Sequence, residues 1–493
     1  RWSRTAAITA YCNSMQPMSR ALADPRSFFD AVALVSDRAI GMTDPEEVVD
    51  EHLVRLERLH PQLNAAVRVF REEARVQARY LDAGPLAGVP VSVKETLGIA
   101  GETVTAGSMR MPRWEVERDA EVVRRLRDAG AVLLARGNLS EFGMVHESDN
   151  LVFGRTNNPL HLERSPGGSS GGDAALVASG SVVCALGTDV GGSIRYPAHC
   201  CGIVGFKPAS EAVPRDGLWP PGERTLFTDT MLAVGPLTRS VRDARLVYEV
   251  IADVELPAPE DVPALRLIVP EDFAMEVRDP VVARAWQRAE DGLAAAGFAI
   301  ERTAVPDAAA LYRDYLTVLV RDYERPIREG LTTAEGERLS IPAEALRHAL
   351  GRPTVHKYLF RLIALMPLVR TSAAKARRAQ ERIEAARARI RALLADDGVL
   401  LLPTNGALAM PHGEAAAYMA RPGVRTLFTP TIYPNVLNLP AISVPAWTDQ
   451  DPGTGLVPGV MLCSAPGAEA ALLDAAAALE EIVNPVVSMR SEG

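Results

Sequence analysis

Three stretches of this 493-residue chain hold side chains that could act together as a nucleophile, a proton carrier and a base. The first is Gly187-Thr188-Asp189-Val190-Gly191-Gly192-Ser193-Ile194-Arg195, where a hydroxyl follows two glycines. An apolar run, Ser181 to Leu186, leads directly into it and reads as a buried strand. A strand that ends in Gly-Gly-Ser sets a hydroxyl on a tight turn and leaves backbone N–H groups facing a ligand, as an oxyanion hole requires. The second, beginning twenty residues earlier, is Gly167-Gly168-Ser169-Ser170-Gly171-Gly172. Gly/Ser runs are ordinarily flexible linkers. This one lies between Asn157-Asn158-Pro159 and the apolar, helix-like Ala174 to Ala178, and it lacks the Lys-Ser/Thr of a phosphate-binding loop. Its glycines are therefore expected to permit unusual backbone angles or close backbone approach. The third is Lys94, at the end of a strand marked by Val89, Val91 and Val93. A lysine there is ordinarily a surface residue or the ion-pair partner of an acid such as Glu95.

The chemistry these residue types could do is acyl transfer. A serine hydroxyl is a weak nucleophile until a base takes its proton. Lysine is a base only when neutral, and its unperturbed pKa of about 10.4 must fall to near 7, at a cost of roughly 4 kcal/mol. Burial at a strand end in a large core can supply that. Glu95 would oppose it at close range, so its carboxylate is expected to point away.

Elements able to position these groups are legible around them. Asp44 caps a helix with Pro45 at its first position and Glu47 as a capping-box partner, followed by Val49, Leu53, Leu56 and Leu59 at helical spacing. Asp119 opens a second helix carrying Val122, Val123, Leu126 and Ala129, and Gly130 ends it before the short apolar strand Ala131 to Leu134. Further buried strands are read at Leu265 to Val269, Val399 to Leu402, Ala441 to Val444 and Val460 to Cys463. Arg266 is the one charged residue among them and places its strand near a sheet edge. From about 308 to 397 the chain is arginine-rich and amphipathic, most plainly from Thr371 to Asp396. That pattern reads as a solvated helical layer, with Tyr358 to Leu368 as a candidate lid.

Hydrophobic residues make up 47% and charged residues 23%, the balance expected of a soluble globular protein. A net charge of −9 disfavours binding to nucleic acid or to acidic membranes. The five cysteines (Cys12, Cys184, Cys200, Cys201, Cys463) have no disulfide-framework spacing and are read as reduced thiols in a cytoplasmic protein. No apolar run is long enough to span a bilayer, and no His-Glu-x-x-His or zinc-spaced cluster points to a metal.

Taken jointly, Pro90-Val91-Ser92-Val93-Lys94 and the two Gly/Ser motifs closely resemble the amidase signature family. So do Cys201-Gly202-Ile203-Val204-Gly205-Phe206-Lys207-Pro208, Gly235-Pro236-Leu237-Thr238-Arg239-Ser240-Val241 and Leu439-Pro440-Ala441-Ile442-Ser443-Val444-Pro445. The resemblance covers about residues 45 to 485. It implies an α/β fold, a large central mixed β-sheet surrounded by α-helices. The expected organisation is an N-terminal segment over 1–44, then a single domain over 45–493 with a helical embellishment at about 308–397.

That resemblance also implies roles. Ser193 is the expected nucleophile, Ser169 the bridging serine in a cis peptide, and Lys94 the base. Val190, Gly191, Gly192 and Ser193 are the expected oxyanion donors, with Asp189, Arg195 and Ser170 in support. Gly143, Met144 and Trp219 are expected to contact substrate, Trp219 from an apolar stretch with Leu218, Phe227 and Met231 that would ordinarily be core. Asp173, where relatives more often carry serine or alanine, is expected to cap the following helix. The implied activity is cofactor-free hydrolysis of a small-molecule amide, an aryl or alkyl amide or a carbamate (urethane), by a monomer or homodimer. Two alternatives stand beside it: a glutaminase subunit of a tRNA-dependent amidotransferase, and a non-catalytic binding scaffold of the same fold.

Overall fold

The computed structural model describes residues 30–81, 83–220, 226–259, 265–365, 371–395, 397–419 and 427–485. Cys12, most of the 1–44 segment and residues 366–368 of the candidate lid lie outside them.

Eleven strands form one mixed sheet. In chain order they are β1 Ala66–Val69, β2 Pro90–Lys94, β3 Val132–Gly137, β4 Cys184–Asp189, β5 Val204–Lys207, β6 Ala233–Thr238, β7 Arg266–Pro270, β8 Ala299–Thr303, β9 Gly398–Pro403, β10 Ala441–Pro445 and β11 Gly459–Cys463. Across the sheet they lie in the order β1-β3-β2-β4-β6-β5-β10-β11-β9-β7-β8. β2 runs parallel to both β3 and β4, while β4, β6, β5, β10 and β11 alternate in direction. Strands β2, β3, β4, β6, β9, β10 and β11 are buried nearly throughout, because helices cover both faces. This explains their continuous apolar sequences.

Several elements sit where the sequence places them, and others are displaced for identifiable reasons. Asp44 caps the helix Pro45–Leu63 through the Glu46 N–H at 2.8 Å. The helix after Asp119 begins at Glu121, because Asp119 instead accepts from the Ala100 N–H and pairs with Arg127. The strand expected over Ser181 to Leu186 is β4, three residues later. Ser181 and Val182 still donate back to the Leu176 carbonyl as the chain leaves the helix Gly171–Ala178. Gly187, Thr188 and Asp189 then join the sheet opposite Gly235, Val234 and Ala233 of β6. Arg266 is one strand in from the edge and pairs with Glu301 of β8 and with Asp397. The edge strand β8 was not legible, since Ala299, Ile300 and Arg302 are exposed and no apolar alternation marks it.

The described residues of 308–397 are mostly helical, with Ala308–Gly330 and Ala373–Leu393 packed on one another. The helix Ala31–Ala39 packs against the helix Val241–Ala252, its first N–H groups held by Asp243 at 2.9 and 3.1 Å. Cys184, Cys200, Cys201 and Cys463 are buried free thiols. Among the described residues, no helix is long and apolar enough to cross a membrane.

Candidate active site

Parallel pairing of β2 with β4 brings Lys94 beside Thr188, and the turn before the helix Gly171–Ala178 brings Ser169 over both. The amine donates to Ser169 Oγ at 2.6 Å and to Thr188 Oγ1 at 2.9 Å. The Gly168–Ser169 peptide is cis. Ser193 opens into the same cavity as Lys94 and Ser169. Its carbonyl accepts from the Ser170 N–H at 3.2 Å, and Ser170 Oγ reaches the Thr188 carbonyl at 3.5 Å. Ser170 therefore ties the Ser193 turn to β4. The Lys94–Ser169 link is closed. A hydrogen bond between the two serine hydroxyls is not formed, and catalytic contacts often tighten only with substrate in place.

The amine is buried, and burial lowers its pKa to about 7 against the opposing influence of Asp173 and Asp189. Glu95 does point away. Its carboxylate accepts from the Thr105 N–H and hydroxyl and from the Ala106 N–H. Asp173 does not cap. It is the third residue of the helix Gly171–Ala178, faces inward, and accepts from Ser92 Oγ at 2.8 Å. Burial raises its carboxyl pKa to about 7.

Beneath the Ser193 turn, Asp189 and Arg195 form an ion pair at 3.1 Å with both side chains fully buried. Burial alone would raise the Asp189 pKa, but the guanidinium overrides it and holds the carboxyl far below the usual range. Asn435 completes the group, accepting from Arg195 at 2.6 Å and donating to Asp189 at 2.8 Å. The Asp189 carboxylate also takes the N–H groups of Gly192 at 2.7 Å and Ile194 at 3.0 Å. The Gly192 N–H, one of the expected donors, is thus bonded to a buried anion, while Val190, Gly191 and Ser193 line the cavity. Gly192 has φ +103°, and a Cβ there would stand 2.1 Å from Thr431 Cγ2, so only glycine fits this turn. His146 Nε2 donates to the Gly191 carbonyl at 2.7 Å and pins the loop from the other side.

Gly143, Met144 and Trp219 all line the cavity. Trp219 stacks on Phe142 at 4.7 Å. Leu218 lines it too, whereas Met231 is core. The cover comes from Tyr315, Leu316, Leu319 and Tyr323 of the helix Ala308–Gly330. Residues 358–365, the described part of the candidate lid, place Leu359, Phe360, Leu362 and Ile363 in an apolar cluster with Phe142 and Trp219. His146, Asn435 and the two tyrosines of the helix Ala308–Gly330 carried no sequence signal, because they reach the site from parts of the chain remote from the Gly/Ser motifs, whereas Thr188 lies within the Gly187–Arg195 motif and was passed over there.

A model of the family described as amidase matches residues 47–473. A glutamyl-tRNA(Gln) amidotransferase subunit of Moorella thermoacetica is 32% identical over 484 residues, covering 88% of this chain and 93% of that protein. Among solved structures, one described as an amidase aligns with a TM-score of 0.74 and 28% identity, over 92% of this chain and 100% of the other. A 6-aminohexanoate cyclic dimer hydrolase bound to its substrate aligns with a TM-score of 0.74 and 26% identity, over 94% and 98%.

Proposed function

The chain belongs to the amidase signature family of hydrolases acting on C–N bonds, and on that footing we propose that it cleaves uncharged, apolar carboxamides, aryl or alkyl, through an acyl-enzyme on Ser193. The observation that carries the substrate class is the cavity wall. Among the described lining residues, Lys94 is the one with a charged form near neutrality; the rest are apolar, aromatic, hydroxyl-bearing or backbone, with His146 kept neutral by burial. Apolar walls with a few convergent polar groups suit a neutral ligand.

In this reading Ser193 attacks the acyl carbon as its proton passes through Ser169 to the neutral Lys94. The oxyanion forms against the Val190, Gly191 and Ser193 N–H groups, where each donor is worth about 3 kcal/mol. The proton then returns along the same path to the leaving nitrogen as the C–N bond breaks, and water hydrolyses the ester. Carbamates present the same carbonyl and leaving amine and fall within the same chemistry.

A glutaminase reading is favoured by the 32% identity to the amidotransferase protein. Free glutamine, however, carries an ammonium and a carboxylate, and burying either without a partner is costly. Among the described residues the cavity offers no carboxylate or guanidinium for them. The test is a panel of purified-protein assays on p-nitroanilides of apolar acids, matched esters and carbamates, and glutamine. Turnover of the anilides that vanishes in Ser193→Ala, with glutamine poor, is the expected outcome. Preference for glutamine would overturn the substrate assignment.

A further inference from the structure

Behind Lys94 the fold builds a compartment for one carboxyl group, that of Asp173, which is fully buried. Ser92 and Lys94 are two residues apart on β2, so their side chains leave the same face of the sheet. Ser92 Oγ donates to Asp173 Oδ1 at 2.8 Å. The carboxyl lies directly over Gly137. A Cβ built there would stand 2.2 Å from its Cγ and 2.3 Å from each oxygen, so no larger residue fits beneath it. Gly137 is the register partner of Lys94 on β3, and neighbouring strands lie about 4.8 Å apart. Asp173 Oδ2 is buried without a hydrogen-bond partner. A serine, a glycine and an acid from three elements thus converge on the flank of the amine.

We propose that Asp173 is a positioning residue that supplies the countercharge to Lys94 while the amine carries the proton taken from Ser193. It rests on the reading of Lys94 as the base. As the Ser193 oxygen forms its bond to the acyl carbon, one proton moves from Ser193 to Ser169 and one from Ser169 to Nζ. The carbonyl electron pair moves to the acyl oxygen. The new ammonium sits in a dry site, and an ionised Asp173 offsets its charge until the proton returns to the leaving nitrogen. The other charges facing this group are already engaged. Asp189 is held by Arg195, Glu95 by the Thr105 and Ala106 N–H groups, and Arg136 by the Thr103, Glu95 and Leu97 carbonyls. Burial keeps the Asp173 carboxyl protonated up to about 7, so the acid limb of activity belongs to Asp173 and Lys94 together.

The experiment is the pH dependence of Ser193 labelling by a sulfonyl fluoride and of kcat/KM on an anilide, in wild type, Asp173→Asn and Ser92→Ala. Asp173→Asn removes the anion that favours the ammonium, so the acid limb should move down by about one pH unit and become a single-proton limb, with a plateau roughly tenfold lower. Ser92→Ala removes the donor that favours the ionised carboxyl, so its limb should move up. Opposite displacements are a signature that lost packing would not produce, and Ser92→Ala keeps the test open if Asp173→Asn fails to fold. Limbs unmoved in both variants overturn the proposal. A wild type without an acid limb near neutrality overturns the reading of Lys94 itself.

Discussion

Replacing Lys94 by methionine should remove activity and yet make the protein more stable, by an amount that depends on pH. Burial takes the Lys94 pKa from 10.5 to about 7. At roughly 1.36 kcal/mol per pH unit, a charged Lys94 costs the folded state about 5 kcal/mol. Below about pH 7 the amine is charged in both folded and unfolded chains, and the folded state bears the whole penalty. Between about 7 and 10.5 the folded amine is neutral while the unfolded one still binds a proton, so the penalty shrinks as pH rises. Methionine has a similar length and no charge, but it forfeits the bonds to Ser169 and Thr188, worth about 1 kcal/mol each. The net gain should be about 3 kcal/mol at about pH 6.5, fall to zero near about pH 9 and reverse above that. Urea unfolding of both proteins across this range gives the difference directly, provided the transition is two-state. A Lys94→Met protein that is less stable at acid pH would refute the reasoning. So would a difference that stays flat with pH.

Four further outcomes are expected. Ser193→Ala should lower anilide turnover by at least about a thousandfold without changing the melting temperature, since its hydroxyl faces a cavity; normal turnover would remove it as nucleophile. Activity of the wild type should rise with pH through about 7 as Lys94 loses its proton, which a kcat/KM profile checks. Gly192→Ala should abolish activity and lower stability, because its Cβ would meet Thr431; crystallography of an active Gly192→Ala protein would show the turn is not so confined. Glu480 is buried, burial raises its pKa to about 8, and its carboxyl accepts from the Val241 N–H. Its neutral form is favoured in the folded state, so stability is full below about pH 4.5 and declines as pH rises towards 8. Glu480→Gln should therefore gain stability over wild type in thermal melts at about pH 8 but not at about pH 4.5.

Reading the chain in order recovers what depends on residue type and near neighbours. Lys94 at a strand end, the Gly-Gly-Ser turn at 191–193 and most of the buried strands follow from pattern, because short apolar runs rich in β-branched residues and bounded by turn residues suit a sheet covered on both faces. The edge strand β8 escaped for the complementary reason: exposed on most of its residues, it had no apolar alternation to show. Displacements of element ends, such as the late start of β4, came from backbone bonds of the preceding helix.

What no linear reading could reach is the partner chosen when several lie within range. Sequence alone placed a lysine, two serines and a glycine turn and so determined which chemistry was available. Tertiary packing decided that Asn435 joins Asp189 and Arg195, that Thr188 bonds the amine, and that the helix Ala308–Gly330 lines the cavity. Hydrogen bonding and desolvation act over a few ångströms of space, while these groups lie tens to hundreds of residues apart along the chain. Their energies exist only once the sheet has brought them together.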